Sequence, residues 1–174
     1  MEKLRIEAMQ SRLSAHLAPE LAQVLLAEST GAGAALQDRE SRVGAVIVNC
    51  GLAQFEETSE RLSPDALVAM LNEYFSCLTA IVYRHAGTIF NTWGDSLLIG
   101  FGVPIAQADS ALRALLCGTA MQKEFREQCA HWPQRFAVQP SLCIGINYGE
   151  VVVGNVGSAT YMRYAVIGDT VNHA

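Results

Sequence analysis

Ser63 to Gly102 reads SPDALVAMLNEYFSCLTAIVYRHAGTIFNTWGDSLLIGFG, one long amphipathic segment followed by two short apolar runs around a Gly-Asp pair. Ser63 is a helix N-cap residue, Pro64 fits the first helical position, and Gly87 is expected to cap the C-terminal end. Leu67, Met70, Leu71, Tyr74, Leu78 and Ile81 recur at helical spacing and predict the buried stripe. The runs before and after Gly94–Asp95 predict a β-hairpin. Asp95 is the only ionisable residue between Thr88 and Gly102, so it either shapes the turn or does chemistry there.

Outward from this unit, RVGAVIVNC (42–50) is a β-branched run of strand length, expected to be buried on both faces. DSALRALLCGTAMQKEFREQCA (109–130) predicts a second long helix starting near Asp109. SLCIGINYGEVVVGNVG (141–157) is expected to hold two strands with a turn at Gly149. A phosphate loop there is disfavoured, because no Gly-Lys-Ser/Thr ending or following helix appears. YMRYAVIGDTVNHA (161–174) predicts a short strand and the start of a helix. The order β-α-β-β-α-β defines an α+β, ferredoxin-like sheet with helices on one face.

The N-terminal part is of a different kind. Residues 1–30 predict a helical lead-in whose apolar stripe is Ile6, Met9, Leu13, Leu17, Leu21 and Leu25, interrupted at Pro19. The stripe suits either a short coiled coil or packing on the chain's own domain. Residues 31–42, Gly/Ala-rich and then charged, are expected to be a linker, leaving 43–174 as the main domain.

Composition narrows the function classes. With 51% hydrophobic and 17% charged residues, a sizeable core is expected. A net charge of −5 without any basic run argues against a nucleic-acid surface. The five cysteines include no C-x-x-C pair and the histidines are scattered, which predicts reduced thiols, a cytoplasmic setting and no zinc site. No signal peptide is evident and no apolar run approaches the roughly 18 residues of a membrane span, so no membrane contact is expected of this segment.

Three separate motifs, ERLSP…GDSLLIGFGVP (60–104), IGINYGEVVVGNVGS (144–158) and YAVIGDTVNHA (164–174), together resemble the catalytic domain of class III adenylate/guanylate cyclases. The resemblance runs from about Leu17 to the last residue, and the domain is expected to end early relative to the family. It implies a head-to-tail dimer, a homodimer or a heterodimer with another cyclase domain, with active sites between subunits. It also implies ATP or GTP as substrate and attack of the ribose 3′-oxygen on the α-phosphorus. Two Mg or Mn ions held by two aspartates would supply the charge neutralisation.

Residue by residue, the carry-over is incomplete. Asp95 matches the second metal aspartate. The first belongs to a motif acid-apolar-x-Gly-Phe-Thr, onto which Gly51-Leu52-Ala53-Gln54-Phe55-Glu56 falls, so the acid is Gly51. Phe55 keeps the motif's aromatic, while Glu56 stands in the loop that holds the triphosphate, where its carboxylate would repel phosphate. Glu56 or Glu57 replacing the lost ligand is the alternative to a solvated loop. The purine-reading lysine is Asn91 and its acid or threonine partner is Ala165, neither able to select a base in the family's manner. Asn172 matches the transition-state asparagine, or is a helix N-cap, and the family arginine would fall just past Ala174. The resemblance therefore implies weak or absent metal binding. The leading reading is an inactive cyclase-homology domain acting in dimerisation or regulation. The alternatives are a weakly active cyclase and a nucleotide-binding module without turnover.

Overall fold

The structure, a computed structural model, describes residues 41–158 and 161–174, so the expected lead-in helix and most of the expected linker lie outside the described residues. Ten elements follow in chain order. They are β1 (Ser41–Leu52), α1 (Phe55–Arg61), α2 (Pro64–Arg84), β2 (Thr88–Trp93), β3 (Ser96–Phe101), α3 (Ser110–Gln128), α4 (Trp132–Phe136), β4 (Leu142–Ser158), β5 (Tyr161–Ile167) and α5 (Asp169–Asn172). The strands form one antiparallel sheet ordered β2-β3-β1-β4-β5, whose first four members have the expected ferredoxin-like connectivity. β1 opens at Ser41, two residues before the expected domain start.

Alternation along β1 sorts the molecule into two layers. Val46, Val48, Cys50 and Leu52 face the long helices α2 and α3 and join the main core with Met70, Tyr74, Leu78, Cys117 and Met121. Ala45 and Ile47 face the opposite side and pack with Val151, Val153 and Val166 in a smaller cluster. That second side is not bare. α5 lies on it, with Thr170 so close to Gly149 that a Cβ there would come 2.5 Å from its Oγ1. Each fully buried aliphatic in these layers contributes roughly 1.5–3 kcal/mol over an exposed one.

α2 starts as expected, with Ser63 Oγ accepting from Ala66 N at 3.3 Å. Its end differs. Ala86, at φ 57, holds the left-handed position, and Gly87 N donates to Val82 O as the following residue. Gly87 is small for another reason, since a Cβ would stand 2.8 Å from the Phe101 ring. By length and composition α2 is apolar enough to cross a bilayer, contrary to the expectation from sequence. Its buried stripe, Met70, Tyr74, Leu78 and Ile81, instead packs in the core.

Gly149 is not a turn. β4 runs unbroken through it for 17 residues, and the chain reverses between Ser158 and Tyr161. The glycine there answers the close approach of Thr170, not a change of direction.

Candidate active site and its missing carboxylate

Asp95 occupies the β2–β3 turn, where Trp93 pairs with Ser96 and Gly94 takes φ 60. A positive φ at the first turn residue only is the arrangement glycine permits at no steric cost. The turn brings Asp95 to the end of β1. Its Oδ2 accepts a 2.5 Å hydrogen bond from Leu52 N, and a Cβ on Gly51 would stand 3.0 Å from the same oxygen. The two positions expected to hold metal are therefore neighbours, on the sheet face opposite α2 and α3. One is empty of side chain, and the carboxylate of the other leans into the space.

Asp95 thus joins the β2–β3 turn to the end of β1. Replacing it with alanine would leave the half-buried Leu52 N–H without its acceptor, an expected loss of about 1–3 kcal/mol. Asparagine keeps an acceptor, so Asp95→Asn is expected to retain most of that stability in a urea melt. Equal stability of the two variants would refute the clasp.

The surrounding cleft is lined by Gln54, Phe55, Glu56, Trp93, Gly94, Asp95 and Ser96. Among the described residues it contains two carboxylates and no lysine, arginine or histidine, so without bound cations it repels a triphosphate. Trp93 is 81% exposed at its rim. Phe55, expected at the phosphate-loop position, is half-buried and packs on the main core while also lining the cleft. Glu56 and Glu57 are not in a loop but in the first turn of α1, where the helix's positive end favours acids. Both are exposed, and Glu57 pairs with Arg61 at 2.5 Å. Gln54 precedes them at φ 58, at the motif's glycine position. The left-handed backbone persists there without the residue that adopts it freely, at a cost of roughly 1–2 kcal/mol.

A two-metal centre does not fit this donor set. Gly51 offers no ligand, and Asp95 spends one oxygen on Leu52 N. Beneath the site, burial pushes the Cys50 thiol up to about 12, so it stays neutral and donates to Leu97 O. Burial also raises Tyr74, whose hydroxyl is enclosed in the core beside the Cys50 thiol.

The purine positions lie on the two outer strands. Asn91 pairs with Leu98 in β2, beside a bulge that sets Phe90 out of register. Ala165 pairs with Gly154 in β5. Their neighbours meet, because Phe90 and Tyr164 stack with centroids 6.1 Å apart and planes at 22°. Gly100 makes this possible, since a Cβ there would come 2.6 Å from the Phe90 ring. Asn172 ends α5 and is exposed, so it is not the N-cap that one reading expects; Gly168, at φ 150, holds that position. α5 is fixed by Thr170 Oγ1 donating to Glu150 O (2.8 Å) and Asn147 Nδ2 donating to Thr170 O (3.1 Å).

Sequence reasoning found Gly51, Asp95, Asn91 and Ala165 but missed Leu52 N–H, Ser96 and Trp93 as members of the cleft. An exposed tryptophan next to a Gly-Asp turn was the available signal for Trp93.

Sheet order, the β2–β3 turn and the Gly51–Asp95 juxtaposition together define a nucleotide-cyclase architecture. The chain belongs to the adenylate and guanylate cyclase catalytic domain family, whose sequence profile matches residues 39–174. It is 37% identical over 122 residues to adenylate cyclase 1 of Rhizobium meliloti (strain 1021), covering 69% of this chain and 18% of that protein. It is 30% identical over 129 residues to an adenylate cyclase of Anabaena cylindrica, covering 74% of this chain and 25% of that one. Among solved structures, the guanylyl cyclase Cya2 is similar at 41% identity and a TM-score of 0.72, covering 76% of this chain and 68% of that chain. The adenylyl cyclase CyaB from P. aeruginosa is similar at 31% and 0.74, covering 78% and 70%. The chain thus spans a quarter or less of these curated relatives.

Proposed function

We propose that this cyclase domain no longer makes cyclic nucleotides and serves as a pseudo-cyclase, acting in dimerisation or regulation within an intracellular signalling protein. The observation that carries the reading is the Asp95 carboxylate standing against the side-chain-free Gly51 and bonded to Leu52 N. An acid bridging two cations cannot also fill the space of its missing partner. The anionic cleft lining and the substitutions Asn91 and Ala165 support the same reading from the phosphate and purine sides.

A head-to-tail homodimer, or a heterodimer with an intact cyclase domain, is the assembly the family membership supports. A cytoplasmic setting agrees with five free cysteines, four of them buried. In a heterodimer this chain lacks both metal acids together and the purine pair, so its contribution to a shared site is structural.

The test incubates purified protein with ATP or GTP and Mn²⁺ or Mg²⁺ and measures cyclic nucleotide. No product above the buffer control is expected. Turnover at ordinary enzyme rates, about 1 s⁻¹ or more, would overturn the proposal.

A further inference from the structure

α3 buries Ala114, Cys117, Gly118 and Met121 against the sheet. The opposite side of its first turns carries Leu112, Leu115 and Leu116, each at least half exposed. Their spacing of three and four residues makes a coherent apolar stripe on a face that an isolated domain would make polar. The stripe continues onto the sheet. Ile146 of β4 lies against α3, its Cδ1 3.2 Å from where a Gly118 Cβ would stand. Two residues along the same face of β4, Tyr148 is 70% exposed with its hydroxyl near Gly44.

That floor runs to the point where the chain enters the domain. Gly44 is three residues after Ser41, and its carbonyl lies 3.8 Å from a Cβ built on Gly102, which itself would touch Ser110, the first residue of α3. The segment immediately before this entry carries its own apolar stripe, Ile6 through Leu25, at helical spacing. The intervening stretch of 15 residues, 26–40, can reach about 50 Å when extended. The stripe on α3 begins within a turn of the helix start, far inside that reach.

We propose that the N-terminal segment, residues 6–25, docks its apolar stripe on the exposed apolar surface made by Leu112, Leu115 and Leu116 of α3 with the neighbouring Ile146 and Tyr148 of β4. Tethering favours this occupant over a second copy of the chain, since a linker of this length holds the segment at an effective concentration near millimolar. The contact would give whatever lies upstream a direct mechanical hold on α3. It holds whether or not the domain turns over nucleotide.

The test uses the full chain and the double variant L112D/L115D, whose positions are exposed and outside the core. Near-ultraviolet circular dichroism of buried Trp132 reports that the fold is intact. Limited trypsin digestion at Arg5 and Arg12 is expected to run about tenfold faster in the variant, as the segment leaves the α3 face. In the reciprocal arm, L13D/L17D is expected to raise hydrogen exchange across residues 110–119 by a similar factor. Unchanged cleavage together with unchanged exchange would overturn the proposal. So would light scattering that shows a micromolar dimer of the full chain dissolved by L112D/L115D, which would assign this apolar face to a second copy.

Discussion

Gly51→Asp is expected to lower the melting temperature in chelator and, unlike the parent protein, to recover it when Mn²⁺ is added. A Cβ at position 51 stands 3.0 Å from Asp95 Oδ2, so that carboxylate has to give by a few tenths of an ångström even for alanine. The second carboxylate of Gly51→Asp needs more room still, so Asp95 is expected to rotate away and give up the 2.5 Å bond from Leu52 N. Losing that acceptor costs about 1–3 kcal/mol, and two adjacent carboxylates add repulsion. For a chain of this size each kcal/mol moves the midpoint by roughly 2–4 °C, so a fall of about 5 °C or more is expected. The rotated pair then presents two hard oxygen ligands to a cation. Mn²⁺ at a hundred times its dissociation constant would return about 2.7 kcal/mol. Gly51→Ala serves as the control, since it supplies the clash without the ligand. Differential scanning fluorimetry in EDTA and in Mn²⁺ reads all three proteins. A G51D variant as stable as the parent in chelator and indifferent to Mn²⁺ would show that Asp95 does not occupy the vacated space.

The experiment turns on a relation that sequence could name but not measure. The motif register located Gly51 and Asp95 44 residues apart, and the fold class implied that they meet across β1 and β3. That Asp95 had become a hydrogen-bond acceptor was not legible, because its partner is a backbone N–H, which every residue carries. Glycines are ambiguous in sequence for a related reason. A glycine at a turn and a glycine under a close contact are the same letter. Gly149 reads as a reversal and is a flat strand position beneath Thr170; Gly87 reads as the helix cap, whose left-handed position Ala86 supplies. Conversely, Gln54 and Ala86 hold positive φ where sequence gave no warning. Long-period patterns fared better: the buried stripe of α2 and the doubly buried β1 depend on many side chains at once, so no single close contact can overturn them.

A second large effect is expected away from the cleft, at Trp132. Its ring is fully buried and meets Phe125 edge-on at 5.5 Å and Phe136 at 6.1 Å. Its Nε1 donates to Glu73 Oε2 at 3.0 Å, tying α4 to α2. Trp132→Ala is expected to cost about 3–5 kcal/mol through the cavity and lost contacts, or roughly 10 °C in melting temperature. Trp132→Phe fills most of the volume and isolates the N–H, with an expected loss of about 1–2 kcal/mol. The pH dependence follows from Glu73. Partial burial alone would raise its carboxyl, but hydrogen bonds from Trp132 and His131 and the charge of Arg135 outweigh it and hold the group below its ordinary value. A depressed folded-state pKa contributes stability that is complete above the unfolded value of 4.5 and is lost as the pH falls through the folded one. The parent protein is therefore expected to lose more stability between pH 6 and pH 3 than Glu73→Gln does, measured by urea melts across that range. Identical acid profiles would mean that Glu73 is held by geometry alone. α4 also leads into β4, whose first residue Leu142 pairs with Leu52, beside the Asp95 clasp. Loosening Trp132 should therefore raise hydrogen exchange at the start of β4 before it does so at Val151, at the far end of the β1–β4 pairing.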